Sequence, residues 1–171
     1  MRTALVLSAF GLVLASCNTT VESTGSTAIA MEANLLVAAE AAQTCQELMP
    51  NFDAIKGELV SQGFSRKEGT SSIDLFATAD WGVTTQLQLG DVPNWICVVT
   101  VDGMTSDQAV AFAQPWVDAI DASLLSDSGR DVVSVWRGKD EAYDAVVVVY
   151  EPFRAPKIQG ASIKLEYRRA N

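Results

Sequence analysis

Val83-Thr84-Thr85-Gln86-Leu87-Gln88-Leu89, then Gly90-Asp91-Val92-Pro93-Asn94, then Trp95-Ile96-Cys97-Val98-Val99-Thr100-Val101: this run decides the fold class. Val83, Thr85, Leu87 and Leu89 alternate with Thr84, Gln86 and Gln88. A period of two with one polar side marks a half-buried antiparallel strand. The Gly-Asp-Val-Pro-Asn segment turns the chain, and in the returning strand Cys97, Val99 and Val101 share one face. Such a hairpin needs a cover for its apolar side.

The cover is legible upstream. From Met31, the residues Ala38, Ala41, Cys45, Leu48, Phe52, Ile55 and Leu59 recur at alternating spacings of three and four, which gives one apolar helix face. Pro50 interrupts it, so either a kink or two abutting helices is expected, ending before Gly63. A heptad-like run also admits coiled-coil pairing, but the small alanines favour close packing on a sheet. Ser72 to Ala77 reads as a further strand, with Ile73, Leu75 and Ala77 on one side and the turn Ala79-Asp80-Trp81-Gly82 after it.

Downstream, Thr105 and Gln108 have the spacing of a capping box, with Asp107 in the first turn. Ala109, Ala113, Trp116, Ile120 and Leu124 outline a second amphipathic helix that Ser126-Asp127-Ser128-Gly129 ends. Strands follow at Asp131 to Trp136, Ala145 to Tyr150 and Ser162 to Arg168, joined by a charged turn at Arg137 to Glu141 and a loop at Glu151 to Gly160. Val146 to Val149 has no polar side, so a central position or pairing with a partner chain is expected. Pro50-Asn51-Phe52-Asp53-Ala54-Ile55 matches Pro115-Trp116-Val117-Asp118-Ala119-Ile120 at four of six positions, each in a helix followed by three strands. The expectation is a two-layer α+β domain: an antiparallel sheet of about six strands with two main helices on one face, consistent with a helix-strand-strand-strand duplication.

The N-terminus carries a different signal. Met1-Arg2 gives a positive start, Ala4 to Ala15 is almost wholly apolar, and the run closes on Leu14-Ala15-Ser16-Cys17. Twelve or so apolar residues are too few to span a bilayer as a permanent helix. The segment resembles the precursors of bacterial lipoproteins, whose lipobox it matches at all four positions. That resemblance implies cleavage before Cys17, a diacylglyceryl thioether on Cys17 and acylation, typically by palmitate, of its new amino group. Asn18, rather than Asp, after the cysteine implies the outer membrane, with the domain in the periplasm. Residues 1–16 are then the signal peptide, 17–30 a lipidated tether rich in Thr and Ser, and 31–171 a single domain. The segment Gly63 to Gly103, with Leu75-Phe76, Trp81-Gly82-Val83-Thr84 and Cys97, is similar to small uncharacterised exported proteins of alphaproteobacteria. Those proteins have no assigned activity, so the likeness implies location alone.

Removing residues 1–16 leaves 155 of 171 residues, enough for one core. It takes away Arg2 and no acid, so the mature chain has 11 basic against 21 acidic residues, a charge of about −10. An acidic surface of this kind disfavours nucleic acid and anionic lipid, which leaves the lipid as the contact with the membrane. With Cys17 acylated, Cys45 and Cys97 remain, and both phases point inward. In an oxidising compartment such a pair closes as a disulfide. A redox pair as C-x-x-C and a histidine-free metal site are weaker alternatives.

Chemistry is read mainly by exclusion. The chain has no histidine, which removes Ser-His-Asp and Cys-His triads and the common zinc sites. It also lacks a P-loop, a dinucleotide fingerprint and a calcium loop. Carboxylate chemistry would draw on Asp53, Asp74, Asp118 and Glu151, each better read as a solvated or capping residue. The Asp140-Glu141-Asp144 cluster reads as a solvated turn rather than a metal site. Among Trp81, Trp95, Trp116 and Trp136, Trp116 belongs to a helix face, while Trp81 and Trp95 bracket one hairpin and are the candidate partner-binding pair. No catalytic residue, metal or cofactor is assigned. The expected role is a non-enzymatic interaction or assembly module with an envelope protein partner. The alternative is a periplasmic binder of a small ligand or glycan, with a carboxylate enzyme a distant third. A concave pocket with convergent polar groups favours the ligand, and a contiguous apolar patch near Trp81 and Trp95 favours the partner.

Overall fold

The computed structural model describes residues 21–90, 94–125, 131–140 and 143–169. Cys17 and Glu141 lie outside them, as do residues 126–130, where the sequence reading ends its second helix.

Helix α1 spans Val21–Leu48 and α2 spans Phe52–Ser61, so Pro50 separates two helices. Asn51 caps the second, its side chain accepting from the Ala54 N–H at 3.2 Å. α1 starts inside the stretch read as tether. Ala28, Ile29 and Ala30 are exposed, and Met31 is the first described side chain that packs on the core. Four strands follow: β1 Ser65–Gly69, β2 Ile73–Ala77, β3 Val83–Leu89 and β4 Asn94–Val101. Helix α3 then spans Ser106–Ala119, opened by the full Thr105–Gln108 capping box. The second half ends with β5 Ser123–Leu124, β6 Val132–Asp140, β7 Tyr143–Arg154 and β8 Gln159–Arg169.

The class is α+β, but the sheet has eight strands and the described residues form three helices, against the six and two expected. The two extra strands are edges. β1 reads Ser-Arg-Lys-Glu-Gly and β5 has two residues, so neither shows the apolar alternation that identifies a strand. α3 ends five residues before Leu124, which sits in β5 and is exposed. β6 runs through the predicted charged turn as far as Asp140, and β7 and β8 extend into the predicted loop.

The strand order is β1-β2-β3-β4-β8-β7-β6-β5, with every pairing antiparallel. It reads the same from either edge: α1 and α2 precede one four-strand meander and α3 precedes the other, and the halves join through β4 and β8. The all-valine stretch therefore lies one strand from the centre, between β6 and β8.

Successive side chains alternate between faces, so register fixes which face is covered. Leu87, Cys97, Leu165, Val147 and Trp136 are cross-strand neighbours in one row. All are buried, under α1 packed on β3 and β4 and α3 packed on β6, β7 and β8. Ala38, Ala41 and Ala113 are fully buried, and their small size lets the helix backbones approach the sheet. Cys45 on α1 and Cys97 on β4 form the expected disulfide, with 6.3 Å between Cα atoms. Trp116 joins the helices, its indole N–H donating to the Ala42 carbonyl at 3.0 Å. Among the described residues, no helix packs on the other sheet face.

Candidate functional site

The uncovered face holds a cleft of about 750 Å³. Its floor is Leu75 of β2, Thr84 and Gln86 of β3, Val98 and Thr100 of β4 and Ser162 of β8. One wall is Lys67, Glu68 and Trp81. The opposite wall is the end of the β7–β8 hairpin, from Tyr150 through Phe153 and Ala155 to Ile158, with Asp131 beside it. That hairpin stands clear because β7 and β8 outrun their neighbours; its turn closes with Ala155 N–H donating to the Ile158 carbonyl at 2.9 Å. Gly160 makes the base of the hairpin feasible, since a Cβ there would lie 1.9 Å from the Val101 carbonyl oxygen.

Trp81 is placed by its turn. Its φ is 65°, a left-handed backbone that a bulky side chain rarely adopts. Three neighbours hold it there: the Asp80 carboxylate accepts from the Thr78 hydroxyl at 2.7 Å and from the Gly82 N–H at 3.1 Å, and Trp81 N–H donates to the Thr78 carbonyl at 3.2 Å. The Thr78 hydroxyl and the Gly82 N–H keep the Asp80 carboxyl below its ordinary value. Gly82 is buried against α1, where a Cβ would meet the Asn34 side chain at 2.5 Å. The indole is only half-buried and stands outside the hydrophobic core. Lys157, from across the cleft, places its ammonium 4.6 Å from the ring centroid, and Lys67 places its own at 5.6 Å.

Polar groups on this face satisfy one another in the plane of the sheet. Thr100 and Ser162 share a hydrogen bond of 2.7 Å. Farther along, Glu166 is buried and paired with Lys164 at 2.7 Å, with Arg168 and with the Asn94 amide at 2.9 Å. Burial pushes the Glu166 carboxyl up, and Lys164 and Arg168 outweigh it to leave the group below its ordinary value.

The other residues singled out from sequence lie elsewhere. Trp95 pairs with Leu89 at the far end of β3, roughly 20 Å from the Trp81 turn at about 3.3 Å per residue. It faces the helix side, edge-on to Tyr143 at 5.6 Å and packed against the core. Trp81 and Trp95 thus bracket the hairpin as expected, yet share neither a face nor an end. Asp74 is on the covered face between Lys56 and Arg66. The Lys56 hydrogen bond lowers its carboxyl, against burial, and Arg66 lowers it further. Asp53 is exposed near Lys56, and Asp118 is exposed and bonded to Gln114. Of the four named carboxylates, Glu151 alone lines the cleft, where Ser106 donates to it at 2.6 Å. Glu68 and Asp131 line it too, both exposed, so no desolvated acid pair of the glycosidase kind forms. Asp140 accepts from the Tyr167 hydroxyl. Among the described residues no cluster of metal ligands is present, and no helix is long and apolar enough to cross a membrane.

Sequence reasoning missed Lys67, Tyr150, Phe153 and Lys157. The one signal within reach was a tryptophan between Asp80 and Gly82, in a turn where a small residue fits better. No protein-family model, curated protein or solved structure matches this chain.

Proposed function

We propose that the chain is an envelope lipoprotein, held in the outer membrane by lipid on Cys17, whose periplasmic domain binds a small ligand in the cleft of the uncovered sheet face. The supporting observation is the cleft itself: about 750 Å³, lined by the aromatic rings of Trp81, Tyr150 and Phe153 together with the Gln86 amide and the Lys67 and Lys157 ammoniums. That volume and that mixture suit a small organic molecule. The role is binding rather than catalysis: among the described residues the cleft's acids Glu68, Asp131 and Glu151, the last accepting from Ser106, are all exposed, and the chain has no histidine to serve as a base. A docking surface built jointly from Trp81 and Trp95 has less support, because the two rings lie on opposite faces. The repeated Pro50 and Pro115 segments and the mirrored strand order support an origin by duplication. In that reading one half contributes Trp81 to the cleft and the other contributes Tyr150 and Phe153.

The test is native mass spectrometry of the protein extracted from membranes. Wild type should carry a small-molecule adduct, and Gln86→Trp, which fills the floor, should lose it. Identical adduct-free spectra for both would reject the ligand role. Fractionation of Cys17→Ser checks the anchor, and continued membrane association at unchanged mass would reject the lipid.

A further inference from the structure

We infer that the ligand is a neutral sugar whose pyranose ring stacks on Trp81; this deepens the ligand-binding reading and rests on it.

The backbone at Trp81 is the first observation. Turn chemistry at a left-handed position asks for Gly or Asn. An indole there is strained, and it repays little by packing, because the ring is half-buried and outside the core. What the position gains is a rigid aromatic plate in the wall of the cleft. Asp80, Thr78 and Gly82 hold that plate by three hydrogen bonds in its own turn.

The chemistry around the plate narrows the ligand class. A fatty chain would suit Leu75, Val98, Phe153 and Ile158, but it would lay methylenes against the Gln86 amide and the Lys67 and Lys157 ammoniums, which need polar partners. An anion or a cation would call for a rim of one sign. Here Lys67 and Lys157 face Glu68, Asp131 and Glu151, close to balance in a chain of net charge −9. A neutral sugar fits both conditions. Its C–H face packs on an aromatic ring, and its hydroxyls both donate and accept, so floor hydroxyls, the Gln86 amide, lysine ammoniums and carboxylates all find partners. Lys157 and Lys67 lie over the Trp81 ring, 4.6 and 5.6 Å from its centroid, so the stacking sugar displaces an ammonium from the ring face and the displaced lysine becomes a donor to the sugar's hydroxyls.

The experiment titrates the detergent-solubilised full chain with neutral tetrasaccharides based on glucose, galactose and N-acetylglucosamine, and separately with decanoate. Calorimetry and tryptophan emission are the readouts. At least one tetrasaccharide should saturate and change the emission. Trp81→Gly should weaken it by about tenfold or more, and Trp81→Phe by only a few-fold, since a stacking contact is worth on the order of a tenfold change. A single cooperative unfolding transition for Trp81→Gly, with its midpoint well above the titration temperature, shows that the loss is local. Equal sugar binding by Trp81→Gly overturns the stacking role. Binding of decanoate but no tetrasaccharide, lost in Gln86→Trp, overturns the sugar and leaves the ligand site standing. Failure of every probe overturns both.

Discussion

The two faces of the sheet are built from the same strands by different rules. On the covered face Leu87, Cys97, Val99, Ile163, Leu165, Val147 and Val149 are at most 1% exposed, and the disulfide ties them to α1. Burial alone accounts for those residue types. On the open face Thr84, Thr100, Ser162 and Glu166 are also buried, yet they are polar and are covered only by their neighbours and the hairpin. Thr100 bonds Ser162, and Glu166 bonds Lys164, Arg168 and Asn94, so the surface spends its polar groups on lateral order. One face is thus the source of stability, and the other holds a shape.

That contrast breaks first, if it breaks, at the disulfide. Cys45→Ala with Cys97→Ala removes a cross-link across 52 residues, for which loop entropy gives about 4 kcal/mol. Urea unfolding of the double variant should show a loss of that order, and cleft binding should persist wherever the protein stays folded. Next in size is a matched truncation. Leu165→Ala on the covered face should cost about 3 kcal/mol, and Val98→Ala on the open face about 1 kcal/mol. Equal costs would mean that the open face is also a core.

A smaller effect comes from one buried carboxylate on each face. Asp74 and Glu166 both lie below their ordinary values of 3.8 and 4.5 in the folded chain. A carboxyl lowered by folding contributes stability above its unfolded value and loses it as pH falls through the folded one. Stability should therefore decline from about pH 4.5 downward. Asp74→Asn and Glu166→Gln should each flatten part of that decline and cost about 2 kcal/mol near neutrality. Lys164 shows the same pairing from the basic side. Burial lowers its ammonium, but Glu166 outweighs this and raises it above 10.5, so its contribution is complete below that value and is lost as pH rises through the folded one. Unfolding midpoints between pH 2 and pH 7 for the three proteins decide the acid side, and a slope unchanged in Glu166→Gln would remove the open-face pair from the account.

How much of this was readable from sequence follows from the same division. The covered face was legible because burial writes a period: 3.6 residues along Ala38, Ala41 and Cys45, and two along Cys97, Val99 and Val101. Inward phases and leftover parity then gave the disulfide. The edge strands were not legible, because β1 and the two residues of β5 gain little by burial and keep no pattern. Nor was the cleft, which depends on register. Lys157 lies 76 residues from Trp81 in sequence and reaches it only because β7 and β8 outrun the sheet. Trp95 misled for a related reason: its place at a strand end looks exposed in sequence, and only strand pairing shows that it faces the helices beside Tyr143.

The sharpest test of the division concerns the stability of Trp81→Gly. A tryptophan that serves a core costs about 3 to 5 kcal/mol when truncated. At Trp81 opposing terms reduce that cost. Glycine relieves a left-handed backbone, a gain of about 1 to 2 kcal/mol. Against it stand the added freedom of glycine in the unfolded chain, about 0.5 to 1 kcal/mol, and the contacts of Lys157 and Lys67 with the ring, each about 0.5 to 1 kcal/mol at an exposed site. The lost packing of the half-buried ring adds about 2 kcal/mol. The net change should be a loss of about 1 to 4 kcal/mol, below that of Trp116→Gly, measured by urea unfolding with the slope unchanged. A loss equal to that of Trp116→Gly would make Trp81 a structural residue and remove the reason for reading its strained turn as a binding device. A clearly smaller loss leaves an indole that the fold does not need, held by three hydrogen bonds in the wall of a cleft.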